Sequence, residues 1–337
     1  MLLFLGAGAS KPFGIPDMND LTNKIMEELK PSGKIWIITQ IQKKVESFDM
    51  KPDIEAILTC IDALSNPKKG IKDAGPFAAL ITSYSRTDEL TLGQKKEYYH
   101  DLSTKIRETI KKYCFLPEEE KINNIVRIYE DLFRNLSFSQ SQKLDVFTTN
   151  YDCCFERYCS EKGHPLFDGF KSTGIVQKFM GMENPEGNWN ICKLHGSSNY
   201  FLTNKDELIK TDTVLKPGDR ITSGVIAKES MVFPTREKYF SSDPYFSLIK
   251  KLRRDLTEGI RGREYALICI IGYSFRDPVI NNAFIDASKT SIFKSKEIFL
   301  VDPYANRIID ENIPELKHLI KPITKKFEEL KSDDFPK

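Results

Sequence analysis

The chain of 337 residues is long enough for one large domain or for two, with a sizeable core in either case. Its 50 basic and 48 acidic residues almost cancel, so the overall charge does not indicate direct nucleic-acid binding. The apolar Met1–Leu5 segment lacks a basic leader and is too short for a signal core, and no apolar stretch approaches the length of a membrane span. We therefore expect a cytoplasmic protein.

Short apolar runs predict five strands. None of the runs alternates with polar residues, which is typical of strands that are covered on both faces in a parallel sheet. The runs are Leu2–Leu5, Val146–Thr148, Ile191–Leu194, Leu267–Ile271 and Ile298–Val301.

Apolar residues at helical spacing predict helices between these runs. The first begins near Asp17 or Asn19, which are both capable of capping it, and ends before Pro31. The others are predicted around Ile54–Ile61, Leu102–Ile110, Ile122–Leu136 and Asp152–Lys162, and from Pro278 onward with Asp277 as the cap.

This alternation predicts an α/β fold: a Rossmann-like parallel sheet with helices on both faces, in a single domain spanning residues 1–337. A large helical insertion is expected from about residue 32 to about residue 137. Turn signals such as Lys216-Pro217-Gly218 predict loops, short strands and a helix between about residues 200 and 250. The charged residues from about 321 to 337 are expected to form either a frayed tail or a docking segment.

Seven cysteines are scattered along the chain without any Cys-x-x-Cys pair. This arrangement indicates neither a disulfide framework nor a four-cysteine zinc site, and we expect no metal. Small buried apolar residues in a reducing compartment are the favoured interpretation. They are Cys60, Cys114, Cys153, Cys154, Cys159, Cys192 and Cys269.

Small, polar or ionisable residues follow each predicted strand. Because ligands of open α/β sheets bind outside the carboxyl ends of the strands, these clusters are expected to converge on one site. The clusters are Gly6-Ala7-Gly8-Ala9-Ser10, Thr149-Asn150-Tyr151-Asp152, His195-Gly196-Ser197, Gly272-Tyr273-Ser274 and Asp302-Pro303.

The first cluster is either a tight turn or a cradle for a pyrophosphate, and the two interpretations are about equally favoured. The Rossmann Gly-x-Gly-x-x-Gly pattern is incomplete, because Lys11 stands at its last position. No P-loop pattern follows, which disfavours an ATPase. Gly272 and Ser274 fit either contacts to phosphate or ribose or a loop that leads into the next helix. Asp302 fits either a ribose contact or a helix cap.

Asn150 and His195 are the candidates for catalysis. His195 lies between a buried strand and a Gly-Ser turn, whereas the other three histidines fall on polar helix or loop positions. Imidazole exchanges protons near neutral pH, and a neutral amide orients water or a sugar hydroxyl without titrating. Asp152 is expected mainly to cap the following helix, with assistance to Asn150 as the alternative.

Taken in order, five motifs resemble those of sirtuins between residue 6 and about residue 303. They are Gly6–Ser10, Gly14-Ile15-Pro16-Asp17, Thr149–Asp152, Leu194-His195-Gly196 and Gly272–Ser274. Two departures stand out: the zinc module with its Cys-x-x-Cys pairs is absent, and Met18-Asn19 replaces the Phe-Arg that usually follows Gly-Ile-Pro-Asp.

These departures make the chain similar to the sirtuin-like NAD⁺-degrading domains of bacterial anti-phage systems, some of which assemble with a HerA-type hexameric ATPase. The helical insertion and Val232-Phe233-Pro234-Thr235 also resemble that branch. The resemblance implies NAD⁺ as the substrate and an NAD⁺ glycohydrolase that requires no metal. It also implies a homo-oligomer and a possible HerA-type partner.

The resemblance assigns roles to individual residues. Asn150 and His195 become the catalytic pair, Asp17 lies near the nicotinamide side, and Asp152 is a further cofactor-binding residue. The diphosphate contacts are Gly6, Ala7, Gly8 and Ser10, and the adenosine contacts are Gly272, Ser274 and Asp302. Three alternatives remain open: a zinc-less protein deacylase, a non-catalytic NAD⁺ or ADP-ribose sensor that scaffolds an ATPase, and nucleic-acid processing beside a translocase.

Overall fold

The structure, a computed structural model, describes most of the chain. The described residues are 1–32, 35–47, 52–65, 92–115, 119–139, 141–173, 176–182, 187–204, 207–211, 220–222, 225–226, 228–229, 244–259 and 266–335. The chain divides into two compact units. The first contains Met1–Ile15 and the described residues from Cys114 onward, and the second contains the described residues of Pro16–Tyr113.

The described strands, in chain order, are β1 Leu2–Leu5, β2 Leu144–Thr148, β3 Leu166–Phe167, β4 Phe170–Ser172, β5 Gln177–Phe179, β6 Trp189–Lys193, β7 Tyr200–Leu202, β8 Leu208–Lys210, β9 Arg220–Thr222, β10 Val225–Ile226, β11 Lys228–Glu229, β12 Leu267–Ile271, β13 Glu297–Val301 and β14 Ile320–Ile323. All five predicted strands are present, with boundaries that differ from the prediction by at most two residues.

The described helices, in chain order, are α1 Met18–Leu29, α2 Ile35–Glu46, α3 Ile54–Ser65, α4 Leu92–Tyr113, α5 Ile122–Asn135, α6 Cys154–Lys162, α7 Tyr245–Glu258, α8 Pro278–Ala287, α9 Ser291–Lys294 and α10 Ala305–Asn312. None of them is both long enough and apolar enough to cross a membrane.

A parallel sheet of seven described strands forms the centre of the first unit. Its order is β14-β13-β12-β1-β2-β6-β3, and every neighbouring pair is parallel. Successive side chains of a strand point to opposite faces, so each buried strand supplies both layers of the core. Leu2 and Phe4 pack on one face, and Leu3 and Leu5 pack on the other.

Helices cover both faces of this sheet, which confirms the predicted Rossmann-like α/β class. Residues of α7, α8 and α10 belong to the core cluster on one face. Residues of α5 and α6 belong to the cluster on the other, where the rings of Tyr129 and Phe155 meet edge to face at 5.2 Å between centroids. The edge strands β3 and β14 lie outside the sequence prediction.

The segment after Lys321 is part of the fold. It continues β14 beside β13, and Phe327, Leu330 and Phe335 are then buried against the same face as α5. The expectation of a frayed tail is wrong for residues 321–335, because apolar side chains at irregular spacing anchor a segment whose overall composition is charged.

A second sheet belongs to the first unit and is antiparallel, with the order β11-β7-β8-β5-β4. Its strands β7, β8 and β11, together with β9, β10 and the start of α7, match the short strands and the helix that are expected between about residues 200 and 250, and β4 and β5 precede that region. Lys216-Pro217-Gly218 and Val232-Phe233-Pro234-Thr235 lie outside the described residues.

Helices α1 to α4 make up the second unit. Asp17 caps α1 by accepting hydrogen bonds from the backbone N–H groups of Asn19 and Asp20 at 2.9 and 3.0 Å. Arg107 of α4 pairs with Asp62 of α3 at 2.5 Å. The unit begins at Pro16 and ends at Tyr113, whereas the predicted insertion runs from about residue 32 to about residue 137. Helix α5 lies in the first unit.

Candidate active site

The carboxyl ends of the central strands lie in one row. Leu5 of β1 is in register with Ile271 of β12 on one side and with Thr148 of β2 on the other. Thr148 is paired in turn with Lys193 of β6, and Ile271 with Val301 of β13. Since neighbouring strands are about 4.8 Å apart, the segments that follow these five residues emerge side by side at one edge of the sheet.

The strand order reverses between β1 and β12. The chain proceeds from β1 to β2 on one side of β1, and later returns to β12 on the other side. In open α/β sheets this switch point, at the carboxyl edge, is where a crevice forms and where ligands bind. The Gly6–Ser10 segment follows one of these two strands and the Gly272–Asp277 segment follows the other.

The glycines of these two segments are needed because the segments pack directly on each other. Gly8 N–H donates to the carbonyl of Gly272 at 3.0 Å. A Cβ on Gly6 would lie 2.4 Å from that same carbonyl oxygen, and a Cβ on Gly272 would lie 2.2 Å from the backbone nitrogen of Ala9. Gly272 also has a φ of +62°, a conformation that favours glycine.

This packing changes the interpretation of the first cluster. The N–H groups of Gly6, Gly8 and Ala9 donate to the carbonyls of Ile271, Gly272 and Gly6, so they are already hydrogen-bonded within the protein. Ala7 and Ser10 lie in the short 3₁₀ helix Ala7–Phe13 that follows. The tight-turn interpretation therefore accounts for the glycines, whereas the contacts of this cluster with a diphosphate remain a prediction.

Asn150 is held by two hydrogen bonds from its side-chain nitrogen. Nδ2 donates to the carbonyl of Gly6 at 2.9 Å and to Ser10 Oγ at 3.0 Å. A carbonyl oxygen only accepts, so the contact with Gly6 fixes which end of the amide is the nitrogen. Within the described part of the chain Oδ1 makes no hydrogen bond, and it is left to accept one from another molecule.

Ser10 and Asp152 extend the hydrogen-bonded chain behind Asn150. Ser10 Oγ donates to Asp152 Oδ2 at 2.7 Å, and Asp152 Oδ1 accepts from the backbone N–H of Cys154 at 2.9 Å. Asp152 therefore binds the N–H of the first residue of α6, whose N-cap position is occupied by Cys153, and it also supports Asn150 through Ser10. Ser10 and Asp152 are both buried, which restricts the Asn150 side chain to one orientation.

Lys193 is a buried cation that contacts this segment, and it is not among the predicted site residues. Its ammonium donates to the backbone carbonyl of Asp152 and to Glu156 Oε1, the latter at 3.0 Å. Burial by itself lowers the pKa of Lys193, but Glu156, Cys153 and Asp152 together outweigh it, so the pKa is raised. A charge within the apolar run around β6 is the signal that identifies such a residue, because lysine is rarely buried without a partner.

His195 is paired with Asp277 across the site. His195 Nε2 lies 3.2 Å from Asp277 Oδ2, and the two side chains are 7% and 12% exposed. The other carboxylate oxygen of Asp277 caps α8 by accepting from the N–H groups of Val279 and Ile280 at 2.9 and 3.2 Å. The sequence predicts only the helix cap, and the contact of Asp277 with His195 appears only in the structure.

Side chains of two helices hold the Gly272–Asp277 segment. Asn281 Nδ2 donates to the carbonyl of Phe275 at 2.7 Å, and Asn312 Nδ2 donates to the carbonyl of Ser274 at 2.8 Å. Phe275 has a φ of +51°, an uncommon conformation for a residue with a side chain. The ring of Phe275 is buried against Phe284, which compensates for this strain.

The remaining predicted site residues are placed as follows. Asp302 follows β13, and its Oδ1 accepts from the N–H of Tyr304 at 2.8 Å at the entry to α10. Asp17 belongs to the helical unit, where it caps α1.

All seven cysteines are buried and free of disulfides. Burial raises the pKa of Cys153, the one next to Asp152, to about 12, so it is a thiol at neutral pH.

The chain belongs to the SIR2-like domain family. The family model matches residues 145–321, slightly more than half of the 337 residues, and it includes Asn150, His195 and Asp277. The match begins after the Gly6–Asp17 motifs. Membership of this family implies an NAD-dependent activity in general terms.

Solved sirtuin structures are similar to the chain at 10% sequence identity. A structure described as Sir2Tm bound to a propionylated peptide aligns over 97% of this chain and 88% of that one, with a TM-score of 0.42. A structure described as the structural basis for sirtuin substrate affinity has the same coverage and a TM-score of 0.39. No curated protein matched the chain.

Proposed function

We propose that this protein is an NAD⁺ glycohydrolase that cleaves the nicotinamide–ribose bond and releases nicotinamide and ADP-ribose. The observation that carries the proposal is the relation between Asn150 and His195. Each lies two residues beyond a position of the paired row, Thr148 and Lys193, on neighbouring parallel strands at the switch-point edge. An amide acceptor and an imidazole thus emerge beside each other where an open α/β sheet binds its ligand.

In the proposed reaction water adds to the anomeric carbon of the ribose. The bond from that carbon to the nicotinamide nitrogen breaks, and its electron pair neutralises the pyridinium. The new bond joins the water oxygen to the carbon, and one water proton is lost. The transition state resembles an oxocarbenium ion, as in other glycosyl transfers.

Asn150 is suited to hold the attacking water. Because Nδ2 donates to Gly6 and Ser10, the side chain presents Oδ1, which accepts a hydrogen bond from water and turns the water lone pair toward the carbon. His195 receives the released proton, either from the water or from a ribose hydroxyl. Lys193 and Asp152 keep the segment that carries Asn150 in place.

The rest of the dinucleotide is assigned to the surrounding loops. We assign the diphosphate to Gly6, Ala7, Gly8 and Ser10, and the adenosine half to Gly272, Ser274 and Asp302. Asp152 contributes through its support of Ser10 and Asn150, and the nicotinamide-side role of Asp17 stays a prediction. The free acceptor of Asn150 and the glycine-lined switch point fit NAD⁺ as the substrate.

The test is a chromatographic assay of the purified chain with NAD⁺, in which nicotinamide, ADP-ribose and cyclic ADP-ribose are separated. His195→Ala should lower nicotinamide release by about 10²–10⁴-fold, the usual effect of removing one positioned general base. Asn150→Ala should lower it by about 10²-fold or more, because the attacking water is no longer held in place. Undiminished turnover in both variants contradicts the assignment. Release that depends on an added acylated peptide identifies a deacylase instead. Binding of NAD⁺ without any product identifies a sensor.

We further propose that the activity serves bacterial anti-phage defence in the cytoplasm by depletion of NAD⁺. A permanently active NAD⁺ hydrolase is toxic to its own cell, so we expect the isolated chain to be weakly active. Assembly into a homo-oligomer, or with a HerA-type ATPase, should raise turnover per chain. Equal turnover per chain in dilute protein and in the assembled complex contradicts this regulation.

A further inference from the structure

We infer that Asp277 is a positioning residue that sets the tautomer and the orientation of His195. The inference rests on the proposed function only for its effect on turnover, since the pairing of the two side chains is an independent structural feature. Asp277 Oδ2 lies 3.2 Å from His195 Nε2, and both side chains are almost entirely removed from solvent.

The two carboxylate oxygens of Asp277 have separate tasks. Oδ1 accepts both N–H groups at the start of α8, from Val279 and Ile280, and Oδ2 faces the imidazole. The positive end of a helix favours a negative charge at this position. One residue therefore joins the histidine rigidly to the first turn of a helix.

An ionised carboxylate only accepts hydrogen bonds, so the imidazole nitrogen that faces it carries a proton. In neutral His195 that nitrogen is Nε2, and the basic lone pair is consequently on Nδ1. Nδ1 is then the ring atom that takes up a proton in the reaction. A carboxylate in this place also stabilises the imidazolium that forms.

The backbone that carries Asp277 is held firmly enough for such a role. Asn281 and Asn312 donate to the carbonyls of Phe275 and Ser274, and Gly272 packs on Gly8 at the other end of the segment. A small displacement of a catalytic group costs a large part of the rate, so a rigid support is functionally useful.

Two variants separate the cap from the histidine contact. Asn and Ser are both good helix caps, so Asp277→Asn and Asp277→Ser are expected to leave α8 intact. In D277N the side-chain oxygen keeps the cap, and the amide nitrogen then donates to the ring and drives His195 toward the Nδ1–H tautomer. In D277S the side chain is too short to reach the ring, so this restraint on the tautomer is lost.

The decisive measurement is the ¹⁵N spectrum of the histidine rings, which distinguishes the two tautomers and is simple because the chain has four histidines. His195 is assigned by its loss in His195→Ala. The wild-type protein should show Nε2–H for His195, and D277N should show Nδ1–H. An Nδ1–H signal in the wild-type protein, or an unchanged tautomer in D277N, overturns the inference whatever the activity.

The kinetic measurement uses nicotinamide release by the same proteins. D277N should lower kcat by about 10²-fold or more, since a base in the wrong tautomer loses most of its contribution, while KM for NAD⁺ changes little. The matched control is Asp53→Asn, which changes the N-cap carboxylate of α3 in the helical unit and should leave turnover unchanged. If the tautomer of His195 changes in D277N but neither the wild-type protein nor any variant releases nicotinamide, the proposed function is contradicted and the pairing of Asp277 with His195 is still supported.

Discussion

The central sheet has an amino edge, where its strands begin, and a carboxyl edge, where they end. Polar side chains of β2 and β6 and of the loops that follow them are buried at both edges, but the two edges are built differently. At the amino edge, Asp145 accepts from Asn190 Nδ2 at 2.9 Å and faces Lys251 at 3.8 Å, while Lys251 also donates to Asp255. Burial raises the pKa of Asp145, and Lys251 and Asn190 counteract it only in part. At this edge the charges of Asp145, Lys251 and Asp255 face one another inside the core, and Asp145 Oδ2 and Asn190 Oδ1 are buried without a hydrogen-bond partner among the described residues.

At the carboxyl edge, the side chains bond to the loops that follow the strands, and Asn150 Oδ1 accepts no hydrogen bond from the described residues. Asn150 donates to Ser10, which donates in turn to the Asp152 carboxylate, and His195 faces a carboxylate that also caps a helix. The amino edge holds charges that face one another in the core, whereas the carboxyl edge carries Asn150 and His195 at the ends of the strands, where ligands of open α/β sheets bind. Burial of polar groups therefore does not by itself mark an active site.

The two edges should differ most in turnover, and two asparagines test this: Asn150, which follows β2, and Asn190, which lies within β6. Asn150→Ala should lower nicotinamide release by about 10²-fold or more, because the attacking water is no longer held in place. Asn190→Ala should leave turnover intact and lower the free energy of unfolding by about 1–3 kcal/mol, because it deprives the buried Asp145 of a donor. Steady-state kinetics and urea unfolding of both variants check this. Equal turnover losses remove the distinction.

Two buried lysines provide the next comparison. Lys251→Met strands two carboxylates that are each 1% exposed and should cost about 3–5 kcal/mol of stability. Lys193→Met frees Glu156, which is 25% exposed and is rehydrated more easily, so the loss should be smaller. Only Lys193→Met should lower turnover of the folded protein, by up to about 10²-fold, because it releases the Asn150 segment. Assays below both melting transitions decide the point.

Two glycines with positive φ separate close packing from backbone conformation. Gly272→Ala should cost about 2–5 kcal/mol, from left-handed strain together with the collision of its Cβ with the backbone of Ala9. Gly163→Ala, at a φ of +66° with nothing within 4 Å of its Cβ, should cost only about 1–2 kcal/mol. Thermal unfolding measures both. Similar losses in the two variants contradict the packing of the two loops.

The weakest effect that we expect concerns pH. Burial lowers the pKa of His164 from its usual value of 6.5, since the ring packs against Tyr158 and Trp189. As pH falls below 6.5, the unfolded chain binds a proton that the folded chain does not, so stability decreases until the lowered pKa is reached. His164→Gln should flatten this slope. Urea unfolding midpoints of both proteins at about pH 7.5 and about pH 5.5 test this expectation. The same midpoints show how much of any pH-dependent loss of turnover is due to unfolding.

The amino-acid sequence alone predicts five strands of the central sheet, most of the helices and the edge at which these strands end, but not β3 and β14. Apolar runs such as Leu2–Leu5 and Leu267–Ile271 are stable when both of their faces are buried in a sheet. Helix caps such as Asp17 and Asp277 act within a few residues of their own position. These local rules also identified Asn150 and His195 as candidates.

Which residues meet across the sheet became visible only in three dimensions. The pairing of Asp277 with His195, the contact of Lys193 with the Asp152 carbonyl and the packing of Gly272 on Gly8 join segments that are far apart in the chain. The same holds for Phe327 and Phe335, which are buried within a segment of charged composition. Such contacts depend on strand order and register, because long-range neighbours leave no periodicity in the sequence.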